Sequence, residues 1–129
     1  MEEATIAGEP DVVHVRQLVR ARAAELKFSL VDQTKIVTAA SELARNALIY
    51  AGGGVARIET VERERRRGLR VTFEDRGPGI PDIATAMRDG YTTGNGLGLG
   101  LGGAKRLVNE FEIESTPGVG TRIVVTRWG

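Results

Sequence analysis

Glycine is concentrated in one stretch of this chain, and that stretch limits the structures the chain can form. Seven of the 17 glycines lie between Gly90 and Gly103, and the segment from Gly94 to Gly103 leads into a predicted helix. Backbone amides that carry no side chain can surround phosphate oxygens, and a helix start adds a favourable dipole. Residues 90–98 are therefore predicted to form a flexible loop, which either binds phosphate or acts as a hinge without a ligand.

Two familiar phosphate-binding loops fit this stretch poorly. Gly98, Gly100 and Gly103 have the dinucleotide-binding spacing G-x-G-x-x-G, but that motif follows a buried strand and residues 88–93 are polar. A P-loop requires Gly-Lys followed by Ser or Thr, whereas Gly103 is followed by alanine and then Lys105. The spacing of the glycines alone does not identify a ligand.

Composition excludes several classes of function. The chain has 18 Lys and Arg against 17 Asp and Glu, a net charge of +1 that would not steer it to nucleic acid or anionic lipid. Without cysteine and with His14 as its one histidine, it can form neither disulfides nor histidine-rich metal centres. The acidic N-terminus lacks the apolar segment of a secretory signal, and no apolar run reaches the ~20 residues that a membrane span needs. We therefore expect a cytoplasmic protein with no nucleic-acid or membrane partner.

Hydrophobic periodicity predicts helices and a sheet of four or five strands. The helices are expected from Pro10 to Leu26, from Ser29 or Asp32 to about Tyr50, over residues 82–89 and from Ala104 to Asn109. The strands are expected over residues 4–8, 55–61, 69–74, 111–115 and 121–128, with a charged, solvated hairpin turn from Arg63 to Gly68. At 129 residues the chain is expected to be one domain, with one sheet covered by helices on one face.

Two further segments carry polar groups suited to binding a metal-bound nucleotide. Glu42 and Asn46 lie four residues apart on the second predicted helix, so they share a face, with Arg45 beside them. Asp75 ends a predicted strand and opens the turn Asp75-Arg76-Gly77-Pro78-Gly79-Ile80, where its carboxylate could accept a hydrogen bond from a purine amino group. Each segment also has a simpler explanation, because Glu42 could form an ion pair with Arg45 and Asp75 could cap its own turn.

The order of these three segments resembles the N, G1 and G2 boxes of the GHKL ATP-binding fold of gyrase, Hsp90, histidine kinases and MutL. Within that fold the chain is most similar to the small anti-sigma-factor-type serine/threonine kinases, in particular the switch kinases of stressosomes. The resemblance spans about residue 5 to Trp128 and rests on residues 41–46, on residues 74–82 and on Lys105-Arg106-Leu107 through Phe111-Glu112-Ile113-Glu114-Ser115. It implies an α/β fold, a two-layer sandwich with helices on one face of a mixed sheet.

The resemblance also implies a role for each site residue. Glu42 would be the general base that accepts the proton of a protein hydroxyl, Asn46 would bind Mg²⁺, and Asp75 would bind the adenine amino group. The remaining residues would surround ATP, with Gly77, Gly79 and Thr121 at the base and Gly96, Gly98, Gly100 and Gly102 at the lid hinge and phosphates.

The lid region departs from the pattern of some anti-sigma kinases, which place an arginine there against the γ-phosphate. This chain has no Lys or Arg between Asp89 and Gly103. Arg45, Lys105 or a partner protein would then supply that positive charge. The gap makes direct sequestration of a sigma factor a weaker expectation than a role as a switch kinase.

The implied function is phosphorylation of serine or threonine on a partner protein, with ATP and Mg²⁺ as cofactors. The implied substrate is an antagonist or scaffold protein with a STAS domain. Phosphorylation would release the kinase to activate a downstream phosphatase or other effector in a partner-switching stress response. Two alternatives stay open: an anti-sigma-factor kinase that binds its sigma factor directly, and an ATP-gated binding module without phosphoryl transfer.

Overall fold

The computed structural model describes residues 1–79 and 101–129, and the elements in these ranges alternate between one sheet and a layer of helices. They are β1 (Glu2–Ile6), α1 (Glu9–Glu25), α2 (Leu30–Ala51), β2 (Gly54–Arg63), β3 (Arg66–Asp75), α3 (Leu101–Arg106), β4 (Glu110–Thr116) and β5 (Gly120–Trp128). The predicted helix over residues 82–89 and the loop over residues 90–98 lie outside the described residues.

Alternate residues of the strands face the helices and form the core. Because side chains of a strand point to opposite faces in turn, one face of the sheet can be apolar while the other stays charged. The buried, helix-facing strand residues are Ala4, Ile6, Ala56, Ile58, Leu69, Val71, Phe73, Ile123 and Val125. On the opposite face Arg57 pairs with Glu3 at 3.0 Å and also with Glu74. The predicted two-layer α/β sandwich with helices on one face is confirmed.

The prediction of a mixed sheet is wrong in its strand directions. The strand order is β1-β2-β3-β5-β4, and each neighbouring pair of described strands is antiparallel. The β2–β3 and β4–β5 connections are hairpins across Glu64–Arg65 and residues 117–119, and a connection that short forces the two strands to run in opposite directions. The pairs β1–β2 and β3–β5 are joined by longer connections that contain helices, and they are antiparallel too. No local pattern in the sequence specifies the direction of these pairs.

Helix α2 begins and ends where its terminal signals predict. Ser29 is the N-cap, and its Oγ accepts a hydrogen bond of 3.1 Å from the backbone N–H of Asp32. Gly52 closes the other end in the left-handed conformation, with φ of 75°. The 22 residues of α2 reach from Asp32, which bonds to Arg127, to Ala51, which packs against Gly77 in the turn after β3. None of the helices in the described residues has the length and apolarity to span a bilayer.

Two predicted elements are displaced along the chain. The first strand ends at Ile6 rather than residue 8, because the backbone N–H groups of Ala7 and Gly8 donate to the Asp11 carboxylate and so cap α1. Helix α3 ends at Arg106 rather than Asn109. The reason is that Asn109 joins the sheet, donating its N–H to the Thr126 carbonyl at 2.9 Å and accepting from the Trp128 N–H at 2.7 Å.

The β2–β3 hairpin is longer than predicted and ends in a two-residue turn. The predicted turn from Arg63 to Gly68 shrinks to Glu64 and Arg65, whose φ angles are 52° and 69°. Positive φ at both central residues is the pattern of type I′ hairpin turns, which favour Asn-Gly. Neither face of this part of the hairpin is covered by the core, so its residues are polar on both faces. The sequence therefore lacks the alternation of apolar and polar residues by which a strand is predicted.

We expect the substitution Arg65→Gly to stabilise the fold. A side chain at positive φ costs about 1–2 kcal/mol, part of which is offset because glycine loses more chain entropy on folding. The net gain in the free energy of unfolding is expected to be about 0.5–1 kcal/mol, visible as a rise in Tm of about 2–4 °C in a thermal melt. Arg67→Gly, the same replacement at a strand position, is the control and should lower Tm. Equal changes for both variants would contradict the strain at Arg65.

Candidate functional site

Helix α2 presents Glu42 and Asn46 one turn apart along the edge of its buried face. Both side chains are half-buried, between the buried Leu43 and Ala47 on one side and the exposed Arg45 on the other. The Nε of Arg45 lies 3.8 Å from Glu9 Oε1, so its ion-pair partner is Glu9 rather than Glu42. The simpler explanation of Glu42 as the partner of Arg45 therefore loses its support.

The Asp75 turn packs against the C-terminal end of α2. Asp75 Oδ1 accepts a hydrogen bond of 2.9 Å from the Gly77 N–H, so this carboxylate does cap its own turn. Capping uses one oxygen and leaves the second oxygen of the same carboxylate for another donor. A Cβ at Gly77 would lie 2.5 Å from the Ala51 Cβ, closer than any side chain allows. Glycine at this position therefore lets the turn contact the last residue of α2.

The contact with Ala51 sets the order of the polar groups along α2. At a rise of about 1.5 Å per residue, Asn46 lies roughly 7.5 Å and Glu42 roughly 13.5 Å along the helix axis from Ala51. The contact therefore orders the Asp75 turn, Asn46 and Glu42 along the axis of α2. Around that axis Ala51 lies about 140° from Asn46 and about 180° from Glu42, so the contact fixes their order along the helix and not a shared face.

The β4–β5 hairpin covers the other side of the Asp75 turn. Thr121 is the direct partner of Asp75 in the sheet, so both side chains lie on the helix-facing side. The buried Thr121 shares a hydrogen bond of 2.8 Å with the Ser115 hydroxyl. Gly118 donates its N–H to the Pro78 carbonyl at 2.8 Å, which joins the tip of the hairpin to the turn.

Two glycines allow the hairpin and the turn to approach this closely. A Cβ at Gly79, whose φ is +77°, would lie 2.5 Å from the Thr116 carbonyl oxygen. A Cβ at Gly120, with φ of +149°, would collide with the Asp75 carbonyl oxygen. Ser115 and Gly120 were not predicted to belong to the site, although the pattern Gly118-Val119-Gly120 before Thr121 indicates a close approach of the backbone.

The glycine-rich stretch is only partly described. Gly96, Gly98 and Gly100 lie outside the described residues, and Gly102 lies half-buried in α3. Helix α3 packs against α2 through the buried Leu101 and Ala104, so this end of the stretch lies beside the helix that carries Glu42 and Asn46. Lys105 is exposed in the last turn of α3.

Arg127 links the start of α2 to the residue that follows α3, and this role was not predicted from the sequence. Its Nη2 lies 2.5 Å from Asp32 Oδ1 at the start of α2, and its Nη1 donates to the Leu107 carbonyl just after α3 at 3.0 Å. The side chains of Arg127 and Asp32 are 13% and 28% exposed, so water screens the pair only partly. The hydrogen bond from Arg127, followed by that from Ser29, holds the pKa of the Asp32 carboxyl below its usual range. A bond across 95 positions leaves no local trace in the sequence.

The substitution Arg127→Met should destabilise the protein by about 1–3 kcal/mol at neutral pH, because two hydrogen-bonding partners are left behind. Since the folded-state pKa of Asp32 is lowered, the ion pair contributes fully above the ordinary carboxyl pKa of about 4 and is lost as pH falls through the folded value. Urea unfolding at pH 7 and below pH 4 measures the difference from the parent, which should shrink in acid. The exposed Arg16→Met is the control. A difference that does not change with pH would rule out the ion pair as its cause.

The residues at this site fit a magnesium nucleotide. Within residues 1–79 and 101–129, no group of three or more His, Asp or Glu side chains could hold a metal ion by itself. Mg²⁺ keeps water and phosphate oxygens in its coordination shell, so the amide oxygen of Asn46 suffices as a protein ligand. Glycine at positions 77 and 79 lets the Asp75 turn pack directly against Ala51 and Thr116.

Comparison with known proteins gives a family for the chain. Residues 31–128 match the family model described as histidine kinase-, DNA gyrase B- and HSP90-like ATPase. The serine/threonine-protein kinase RsbT of Bacillus subtilis (strain 168) is 51% identical over 123 residues, which cover 95% of this chain and 92% of that protein. The anti-sigma F factor of Thermoanaerobacter sp. (strain X514) is 34% identical over 118 residues, covering 88% and 82% of the two chains.

Solved structures support the fold. The structure of the RsbU and RsbW domains of a Mycobacterium tuberculosis protein matches with a TM-score of 0.67 and 23% identity, covering 98% of this chain and 32% of that longer one. The catalytic domain of the histidine kinase ThkA matches with a TM-score of 0.58 and 19% identity, covering 98% and 95% of the two chains. At these identities the likeness concerns the arrangement of helices and strands.

Proposed function

The chain belongs to the histidine kinase-, DNA gyrase B- and HSP90-like ATPase family as a serine/threonine kinase, and we propose that its substrate is a STAS-domain protein. The substrate is an antagonist or a scaffold, and its phosphorylation frees the kinase to activate a downstream phosphatase or other effector. Similarity to a serine/threonine kinase and to anti-sigma F factors supports partner switching of this kind. The observation that carries the proposal is the 51% identity to a serine/threonine-protein kinase over 95% of this chain.

Asp75, Asn46 and Glu42 each have a proposed role in binding the magnesium nucleotide or in proton transfer. Asp75 accepts a hydrogen bond from the adenine amino group with the oxygen that does not cap its turn. Asn46 holds Mg²⁺ through its amide oxygen, and Glu42, one turn further from the base, accepts the proton of the substrate hydroxyl. When bound, ATP supplies the phosphoryl group and Mg²⁺ neutralises charge on the phosphates.

The glycines and the neighbouring cations complete the proposed site. Gly77, Gly79 and Thr121 shape the base pocket, and Gly96, Gly98, Gly100 and Gly102 supply backbone amides to the phosphates. The proposed positive charge at the γ-phosphate comes from Arg45, which is exposed on α2 and would have to leave Glu9, or from Lys105, which is exposed on α3. The proposed reaction takes place in the cytoplasm, which supplies ATP, and in a single domain formed by residues 1–129.

A second candidate function is that of an anti-sigma factor that binds its sigma factor directly. The observation in its favour is the 34% identity to an anti-sigma F factor over 88% of this chain. A pull-down with ATP present distinguishes the two candidates, because a captured sigma factor would favour this one. A third candidate, an ATP-gated binding module, would bind the nucleotide and transfer nothing.

The proposal is tested by incubating the protein with γ-labelled ATP, Mg²⁺ and each purified STAS-domain protein of the same genome. Label should move to serine or threonine of one of them, and chelation of Mg²⁺ should abolish the transfer. Mass spectrometry of the labelled protein identifies the acceptor residue. ATP binding without any labelled STAS protein would contradict the proposal and favour the binding module.

A further inference from the structure

The β2–β3 hairpin ends in a charged tip that the kinase site does not use. This arginine tip, residues 62–67, consists of four arginines and two glutamates, a net charge of +2 in a chain whose total is +1. All six residues are exposed. The last residues of the hairpin that pair with neighbouring strands are Ile58, with β1, and Gly68, with β5, and the Gly129 N–H also donates to the Arg67 carbonyl at 3.0 Å. Residues 62–66 extend beyond these bonds as a two-stranded ribbon.

Most of the positive charge of the arginine tip is not neutralised within the protein. Arg63 forms an ion pair of 2.8 Å with Glu110, and its guanidinium lies 4.9 Å from the centroid of the Trp128 ring. Arg66 lies over the same ring at 5.8 Å, which supports its side chain but leaves its charge uncompensated. Within the described parts of the chain, Arg65, Arg66 and Arg67 form no ion pair. Three guanidinium groups are thus available to a partner.

The turn in the arginine tip keeps charged residues where they strain the backbone. Glu64 and Arg65 both have positive φ, a conformation in which Asn-Gly would be more stable. Strain that the fold does not need is often retained for function. A binding role for the Arg65 side chain would account for an arginine at this strained position.

The arginine tip is remote from Asp75, at the base-binding end of the proposed site. Strand β3 joins the two, with Arg66 at one end and Asp75 at the other, so at about 3.4 Å per residue they are roughly 30 Å apart. A standard interface covers about 800 Å² of each partner, a patch roughly 30 Å across. A bound protein of ordinary size can therefore contact the arginine tip while its acceptor hydroxyl lies at the site.

We propose that the arginine tip is a docking surface for an acidic face of the protein substrate, an inference that rests on the proposed function. A protein surface fits better than a nucleic acid or a lipid, because Glu62 and Glu64 alternate with the arginines and would repel a continuous row of phosphates. Guanidinium groups bind carboxylates in bidentate pairs, which gives such a surface specificity as well as attraction. The tip acts on association and leaves the chemical step unchanged.

The test compares two double variants that lose the same charge. Arg65→Gln/Arg67→Gln removes two cations from the arginine tip, and the control Arg16→Gln/Arg20→Gln removes two from the exposed face of α1. The substrate is the STAS-domain protein that accepts the label. For this substrate the tip variant should have a KM about tenfold higher than the parent, and its KM should depend less on salt. Its kcat and its KM for ATP should stay within about twofold of the parental values. The control should change none of these quantities by more than about twofold.

A third variant separates docking from stability. Arg65→Gly should raise Tm, as argued above, and still raise the KM for the protein substrate about threefold, which a folding defect could not explain. Equal KM values for both double variants would overturn the docking surface while leaving the kinase proposal intact. The docking surface would also be overturned if the tip variant lost binding to an RNA oligonucleotide while its KM for the protein substrate stayed unchanged. A parent protein that labels no STAS-domain protein would instead contradict the proposed function, and the assigned partner with it.

Discussion

The substitution Glu42→Gln is expected to slow phosphoryl transfer to the protein substrate by about 10²–10⁴-fold, the range typical for loss of a positioned general base. The replacement keeps the size of the side chain and removes its ability to accept a proton. Glu42 lies half-buried on α2 and does not pair with Arg45, so the substitution leaves the known ion pairs of the helix in place. Single-turnover labelling at saturating ATP measures the rate directly.

The control for Glu42→Gln is Glu112→Gln, the same change at an exposed position of β4 on the opposite face of the sheet. The control should transfer phosphate at the parental rate, and calorimetry should give all three proteins an ATP Kd within about threefold. If Glu42→Gln transfers phosphate as fast as the parent, the assignment of Glu42 as the base is wrong even though the protein binds ATP.

The substitution Asp75→Asn is expected to raise the Kd for ATP by about 10–100-fold. Its amide oxygen can still accept the 2.9 Å hydrogen bond from the Gly77 N–H, so the turn should keep its shape. The second atom changes from an acceptor to an NH₂ donor, which would face the amino group of adenine. Replacing an attraction to a charged acceptor with two opposed donors accounts for an effect of this size.

A nucleotide analogue makes the Asp75 prediction specific. Purine riboside triphosphate lacks the amino group, so the parent should bind it much more weakly than ATP, while Asp75→Asn should bind the two about equally. Glu74→Gln is the matched control, because its side chain lies next in sequence but on the opposite face, paired with Arg57. If the ratio of the two nucleotide Kd values in Asp75→Asn equalled the ratio in the parent, the Asp75 carboxylate would not contact the base.

Features with a local cause were predictable from the sequence. The limits of α2 follow from a serine that can cap the first turn and a glycine that can take positive φ, and both act within a few residues. The pairing of a helical face with one sheet follows from periods of 3.6 and 2. The separation of Glu42 and Asn46 by one turn is likewise fixed once the helix is known.

Features that depend on distant contacts were not predictable. The ion pair of Arg127 with Asp32 joins residues 95 positions apart and exists only because strand β5 inserts where it does. The antiparallel pairing of β5 with β3 is likewise a property of the whole sheet. The strand residues of the arginine tip were missed for a different reason, because a ribbon that projects into solvent has no apolar face to reveal its period.

The joint between the Asp75 turn and the β4–β5 hairpin has a consequence for how the protein is made. The turn is translated about 40 residues before Gly118 and Gly120, which complete its surroundings. A nascent chain that stops short of these residues contains α2 but lacks the hairpin that covers one side of the Asp75 turn. Under the proposed role of Asp75, nucleotide binding should therefore begin only after residues 118–120 have folded onto the turn.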